Sequence, residues 1–224
     1  MRRQAIYVMI MTENISASSK GRPRGFDRAE ALRQAMRLFW AKGYDGASLA
    51  DLTAVMGINP PSLYAAFGSK EALFREATDL YSETEGVDIW RSLHQSATAR
   101  QAVEGFLRES AAAFSRAGDP PGCLIVLGAL NANGNNAAIC EDLRQRREAN
   151  VAELRTRLEA AVREGELPAG IDCEAIAVFY VTVQQGMSIQ ARDGASHARL
   201  LAAADGAMAA WDALTAESSA RVGG

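Results

Sequence analysis

Two very short helical segments follow one another within residues 48–68, and they restrict the fold more than any other stretch. The first, SLADLTAVMG, begins with a capping pattern of Ser48 and Asp51 and ends at Gly57. The second begins at Asn59, followed by two prolines in the first helical turn, where a missing N–H is tolerated. Two short helices joined by a tight turn predict a helix-turn-helix, which places its second helix in the DNA major groove.

Apolar residues recur at helical spacing on both sides of these segments, and no run shows the alternation of two that is typical of strands. The sequence therefore predicts an all-α protein, with an N-terminal three-helix helix-turn-helix domain and a C-terminal helical domain. Predicted inward faces include Leu49, Leu52, Val55 and Met56 in the first short helix, Val103, Phe106, Leu107, Ser110, Phe114 and Ala117 in a later one, and Leu200, Ala204, Met208 and Trp211 in the last.

Composition favours an ordinary soluble protein. Of 224 residues, 48% are apolar and 23% are charged. The three cysteines show no zinc-binding pattern, so neither a metal nor a cofactor is expected, and a reducing cytoplasm is the predicted location. The apolar run in MRRQAIYVMIM is short for a signal peptide, and no run approaches the roughly 18 apolar residues of a membrane span.

An enzyme is not predicted. The two histidines, His94 and His197, belong to no nucleophile or metal constellation. The sequence also lacks a glycine-rich phosphate loop.

The charge is distributed unevenly. Residues 1–75 carry eleven Lys/Arg and six Asp/Glu, a balance of +5, whereas the remainder has a balance of −8. This asymmetry predicts a polyanion-binding head on a trunk with another role. Lys20, Arg22 and Arg24 form a basic arm that can either enter the minor groove or remain a solvated tail.

The segment from Gly21 to Phe74 resembles the DNA-binding domain of the TetR/AcrR family of bacterial transcriptional repressors. It contains FxxxGYxxAS, LADLTAVMGI, SLYAAF and SKEALF in the family's order and spacing. The resemblance implies a flexible basic arm (1–25), a DNA-binding domain (26–72), an effector-binding and dimerisation domain (73–215) and a flexible tail (216–224).

The resemblance also assigns roles to single positions. It implies phosphate contacts for Ser48 and Lys70, and backbone contacts for Ser62 and Tyr64. Leu63 and Phe67 are expected in the core, and Tyr44 is expected to pack.

The chain departs from the family pattern in the recognition helix, where Pro60, Pro61, Ala65 and Ala66 replace polar or smaller residues. Alanine cannot donate a hydrogen bond to a base edge, but it can contact a thymine methyl group. Base recognition is therefore expected to depend on Asn59, on that apolar contact and on DNA shape. Asn59, Pro61 and Ala65 complete the predicted DNA-binding set.

The mechanism implied by the resemblance is repression by a homodimer bound to a pseudo-palindromic double-stranded operator, with heads about 34 to 36 Å apart. Predicted helices over 173–192 and 196–214 would form the dimer bundle through Ile176, Phe179, Val183, Met187 and Trp211. A small effector, unidentified by the sequence, would bind a trunk pocket and favour a head spacing that cannot bind DNA. The candidate pocket residues are Trp90, Phe106, Phe114, Cys123, Leu127, Tyr180 and Gln184.

Cys123 supports an alternative function on the same scaffold. It follows DPPG at the expected start of a helix, where the N-terminal partial charge lowers the pKa of a thiol. The residue could then sense oxidants or electrophiles, or it could simply be a small apolar residue at the start of a buried helix.

Overall fold

The computed structural model describes residues 26–131, 133, 134 and 136–216; the predicted basic arm and residues 217–224 lie outside the described residues. The described chain is all-α, as predicted, and contains no strand. Its helices are α1 (Arg28–Gly46), α2 (Leu49–Met56), α3 (Pro60–Phe67), α4 (Lys70–Glu83), α5 (Arg91–Gln95), α6 (Ala99–Phe114), α7 (Leu124–Leu127), α8 (Ala137–Arg163), α9 (Cys173–Arg192), α10 (His197–Met208) and α11 (Trp211–Thr215), with a 3₁₀ turn at Val87–Trp90.

Helices α1 to α4 form the head around an apolar core. Phe39, Leu52, Leu63 and Leu73 have no exposed side-chain surface, and α4 packs against α1. The predicted inward position of Val55 is wrong: its side chain is 41% exposed. A helix of only two turns buries a narrow stripe, here through Leu52 and Met56, and leaves the neighbouring position outside.

The trunk contains the remaining helices, and it differs from the sequence prediction in three places. Ala117 lies beyond the end of α6 and is exposed, because the chain turns at Gly118. The apolar run after Cys123 forms a helix of only four residues, α7. The last predicted helix is divided into α10 and α11, since the Ala210 N–H donates to the Ala207 carbonyl three residues back.

Gly43 interrupts α1 near its end. Its backbone angles, φ 70° and ψ 175°, are not helical and belong to a region that L side chains rarely adopt. In a continuous helix the Tyr44 N–H would donate to the Trp40 carbonyl. Because of the break, the Tyr44 N–H donates instead to the Gly128 carbonyl at 2.7 Å. The end of α1 is thereby bonded to the trunk.

Two further side chains connect the head to the trunk at this break. The buried indole N–H of Trp40 donates to the Gly122 carbonyl at 2.9 Å. Arg192, at the C-terminal end of α9, donates to the Trp40 carbonyl at 2.8 Å and to the Ala41 carbonyl at 3.3 Å. Arg192 thus supplies hydrogen bonds to carbonyls close to the interruption, and it links the last long helix to the head.

We expect Gly43→Ala to destabilise the protein by about 1–3 kcal/mol, because the residue would be held in a glycine-only conformation. The added Cβ would also lie 3.0 Å from the Gly128 carbonyl oxygen, the acceptor that holds Tyr44. Urea unfolding followed by circular dichroism measures the change. Gly46→Ala is the matched control, since a methyl group there meets only the Lys42 Cβ at 3.4 Å; equal stabilities for the two variants would contradict the assignment.

Candidate nucleic-acid interface

The first turn of α2 is fixed by a reciprocal cap. The Ser48 hydroxyl accepts from the Asp51 N–H at 3.0 Å, and the Asp51 carboxylate accepts from the Ser48 N–H at 3.3 Å. The predicted capping box is therefore confirmed. Lys42 donates to the same carboxylate at 3.0 Å, and these hydrogen bonds lower the pKa of Asp51. Ser48 remains exposed, so its hydroxyl can also meet a phosphate oxygen.

The recognition helix, α3, begins as the sequence predicts. The Asn59 side chain accepts from the Ser62 N–H at 2.9 Å, and Pro60 and Pro61 occupy the first two helical positions. The carbonyl oxygen of the Asn59 amide is already used by the cap. Its amide NH₂ group is therefore the group that Asn59 can offer to a base.

Helix α3 has one buried and one exposed side. Leu63 and Phe67 are buried, whereas Tyr64 is 46% exposed and Ala65 is also exposed. Ala66, considered together with Ala65 in the sequence, is half-buried and packs against the core. The outward residues of α3 are Pro60, Pro61, Tyr64 and Ala65, with Ser62 half-buried beside them.

Lys70 begins α4 directly after the turn that ends α3. Its ammonium group lies over the Tyr44 ring, 4.3 Å from the centroid. Burial lowers the pKa of Lys70, and the charge of Asp45 opposes that change. Tyr44 is buried, as expected, and stacks edge-on against Phe74.

Sequence reasoning missed Arg28, which holds the end of the recognition helix. Its guanidinium group donates to the Ala66 carbonyl at 3.2 Å, pairs with Glu76 at 2.8 Å and lies over the Phe67 ring at 4.3 Å. Arg28 therefore joins α1, α3 and α4. These contacts connect residues 38 and 48 positions apart, so no local sequence pattern could reveal them.

The described head is less basic than the whole N-terminal segment. Residues 26–75 carry six basic and five acidic side chains, a balance of +1. Most of the +5 excess belongs to residues 1–25, which carry five basic residues and one acidic residue. The positive excess of the N-terminal segment is thus concentrated in residues 1–25.

The trunk contains a cavity of about 210 Å³ between α4, the 3₁₀ turn, α8 and α9. It brings together three of the predicted pocket residues, Trp90, Cys123 and Gln184, and adds Tyr81 and Glu153. Four predicted pocket residues do not line it: Phe106, Phe114 and Tyr180 are buried in the core, and Leu127 is half-buried in α7.

Cys123 does not have the environment of a reactive thiol. It precedes a helix of four residues and is buried, and burial raises the pKa of its thiol above the ordinary value. The expectation of a lowered pKa is wrong because desolvation of the thiolate outweighs a single helical turn. Among the described residues, no group of three or more His, Cys, Asp or Glu side chains could hold a metal ion. Within the same part of the chain, no helix combines the length and hydrophobicity needed to cross a membrane.

Two family models match the chain. Residues 31–77 match the bacterial regulatory proteins of the tetR family, and residues 99–205 match the tetracyclin repressor-like C-terminal domain. The first match contains all of α2 and α3, and the second contains most of the trunk helices.

Similar proteins are known along almost the whole chain. The HTH-type transcriptional repressor ComR of Escherichia coli is 35% identical over 88% of this chain and 94% of its own. The repressor BdcR of the same organism is 33% identical over 82% of this chain and 88% of its own. A cysteine mutant of the TetR family regulator CifR, solved with 26-base-pair operator DNA, is 45% identical with a TM-score of 0.82, covering 85% of this chain and 100% of that one. The chain belongs to the TetR family of bacterial regulatory proteins.

Proposed function

We propose that this DNA-binding transcriptional regulator is a homodimeric repressor that binds a pseudo-palindromic operator and releases it when a small molecule occupies the trunk. The observation that carries the proposal is the outward side of α3, where Tyr64 and Ala65 are exposed while Leu63 and Phe67 anchor the helix. ComR and BdcR are named as repressors, and CifR was solved on operator DNA. These relatives support repression as the direction of regulation.

The proposed docking uses helix termini as well as side chains. The first turns of α2 and α3 are exposed at Ser48, Asn59 and Pro61. Helix N-termini carry partial positive charge and attract phosphate oxygens. Ser48, Ser62, Tyr64 and Lys70 would contact phosphates, which fixes the position of Ala65 and of the Asn59 amide against base edges.

The proposed dimer uses the outward sides of α9 and α10. Three residues expected in that interface, Ile176, Met187 and Trp211, are instead buried within the chain and stabilise the monomer. The outward side of α9 carries the exposed Val178 and Ile189. The outward side of α10 carries the small residues Ala198, Ala202, Ala203 and Gly206. Small residues let helices approach closely, as a four-helix bundle between two copies requires.

The trunk cavity is connected to α1 through an aromatic contact. Tyr81 of α4 lines the cavity, and its ring packs edge-on against Trp40 of α1 at 5.0 Å between centroids. Trp40 is the residue whose indole is bonded to the Gly122 carbonyl. A ligand that displaces Tyr81 would therefore disturb the contacts between head and trunk. Its effect on operator affinity equals the difference between its affinities for the DNA-binding and the released arrangement of the protein.

Lys70→Ala should weaken binding to operator and to random DNA alike, because a phosphate contact carries no base information. The slope of log affinity against log salt should fall by about 0.9, the value for one lost phosphate contact. Fluorescence anisotropy across a salt series measures both quantities. Arg163→Ala is the control: it removes an exposed positive charge of the trunk, and an equal effect from that variant would refute the contact.

Ala65→Gln should change which base is preferred at one position of each half-site. The exposed glutamine could pair with adenine and alter discrimination by about 1–3 kcal/mol. Selection of bound sequences from a random DNA pool, performed with the unchanged protein and with the variant, compares their base preferences. Ala112→Gln, on the exposed side of α6, is the matched control; identical selected sequences for Ala65→Gln and the unchanged protein would place Ala65 outside the groove.

Replacing Val178 and Ile189 together by aspartate should produce a folded monomer that no longer binds operator. Both side chains are exposed in the single chain, so the charges should disturb the interface and leave the core intact. Sedimentation velocity at micromolar concentration measures the assembly, and circular dichroism confirms the fold. Val87→Asp introduces the same charge at an exposed valine of the 3₁₀ turn and should remain dimeric. A dimeric double variant would disprove this interface.

A further inference from the structure

The walls of the trunk cavity combine aromatic and aliphatic side chains with polar ones. Tyr81 and Trp90 face it from α4 and the 3₁₀ turn, and Ile125 faces it from α7. The Trp90 ring packs against the Phe106 ring, with centroids 4.9 Å apart. A molecule that fills this space would therefore contact ring faces and aliphatic carbon on one part of its surface and polar groups on another.

Gln184 is one of the polar residues of this wall, together with Ser82, Asn150 and Glu153. Its side chain is only 4% exposed and lines the cavity from α9. Within the described part of the chain, no hydrogen bond is formed by its amide, whereas other buried polar side chains such as Ser110 and Thr215 are bonded. Among the described residues, the one fully buried side-chain nitrogen or oxygen atom without a partner is Arg155 Nε, so the Gln184 amide atoms remain accessible from the cavity. The amide therefore offers both a donor and an acceptor to a molecule in the cavity.

Charged groups are scarce around this cavity. Among the described residues that line it, the one charged side chain is Glu153, which is partly exposed and accepts from His94 at 2.8 Å. None of the described residues that line the space is basic, so a bound anion would lose its hydration without a compensating charge from them. A cation would meet a carboxylate that already has a partner. The environment consequently favours an uncharged ligand.

The volume sets an upper limit on ligand size. An apolar cavity of about 150 Å³ accommodates benzene. The trunk cavity, at about 210 Å³, has space for one six-membered ring with a small polar substituent. A fused polycyclic molecule would extend out of the cavity, which is partly open to solvent.

From these observations we infer that the effector is an uncharged single-ring molecule whose amide, carbonyl or hydroxyl group pairs with Gln184. The inference rests on the proposed function, since it names the chemical class that the repressor senses. Tyr81 and Trp90 enclose the ring, and Gln184 selects for the polar substituent.

Four probes of similar shape test this class on the full-length protein at neutral pH: benzamide, benzoate, benzylammonium and toluene. Isothermal titration calorimetry should show that benzamide binds, with benzoate and benzylammonium at least about tenfold weaker because of the cost of burying an unpaired charge. Toluene should also bind more weakly, since it leaves the Gln184 amide without a partner. The absence of benzamide binding at millimolar concentration, or tighter binding of either ion, would overturn the inference.

Variants of Gln184 test the recognising group. Gln184→Leu should weaken benzamide about tenfold, as expected for one lost hydrogen bond, and should not weaken toluene. Gln184→Glu should reverse the preference towards benzylammonium, which provides a gain of binding as well as a loss. Gln185→Leu is the matched control, because the neighbouring glutamine faces a different groove beside α8. Unchanged benzamide affinity in both Gln184 variants would refute the assignment.

Operator release distinguishes this inference from the function on which it rests. Benzamide should lower the affinity of the unchanged protein for a selected operator, and the Gln184→Leu variant should need about tenfold more benzamide for the same release. Binding that depends on Gln184 but releases no operator would refute the effector role and leave the ligand class standing. Release by benzamide that is equal in the two proteins would refute the ligand class and leave the proposed repressor standing.

Discussion

The hydrogen bond from the Tyr44 N–H to the Gly128 carbonyl is the contact on which the arrangement of head and trunk depends. It exists because Gly43 interrupts α1 and turns a donor outward. Trp40 and Arg192 then add bonds at residues 40 and 41, just before the same break. Without the interruption, α1 would satisfy its own backbone groups, and the head would lose this directed attachment to the trunk.

The local signals in the sequence predicted the head well, since helix caps are short-range devices. Ser48 and Asn59 each accept from a backbone N–H three residues later, as their positions in the sequence indicate. Apolar periodicity also predicted the all-α fold and the bounds of α9. These features depend on residues fewer than five positions apart, which explains why a single sequence is sufficient to find them.

The features that the sequence did not predict depend on contacts between distant segments. Periodicity marked Val55 as inward, but no neighbouring helix covers it. Cys123 has the position of an activated thiol, yet burial decides its pKa, and burial is set by the packing of other helices. The candidate interface shows the same division: the caps of α2 and α3 were predictable, whereas the anchoring of α3 by Arg28 was not. The residues of the trunk cavity likewise come from four separate segments.

The placement of Lys70 over Tyr44 has a consequence for the entropy of binding. A free lysine side chain loses up to roughly 2 kcal/mol of rotamer freedom when a contact orders it. Lys70 is already confined to one ring face, so part of that loss occurs before DNA arrives. The Tyr44 ring is itself positioned by the backbone hydrogen bond to Gly128. The Gly128 carbonyl, the Tyr44 backbone and the Tyr44 ring therefore connect the trunk to the Lys70 ammonium group. A displacement of α7 by a fraction of an ångström would thus move Gly128, the Tyr44 ring and the Lys70 ammonium group in turn. The proposed phosphate contact would then change without a rigid-body rotation of the head.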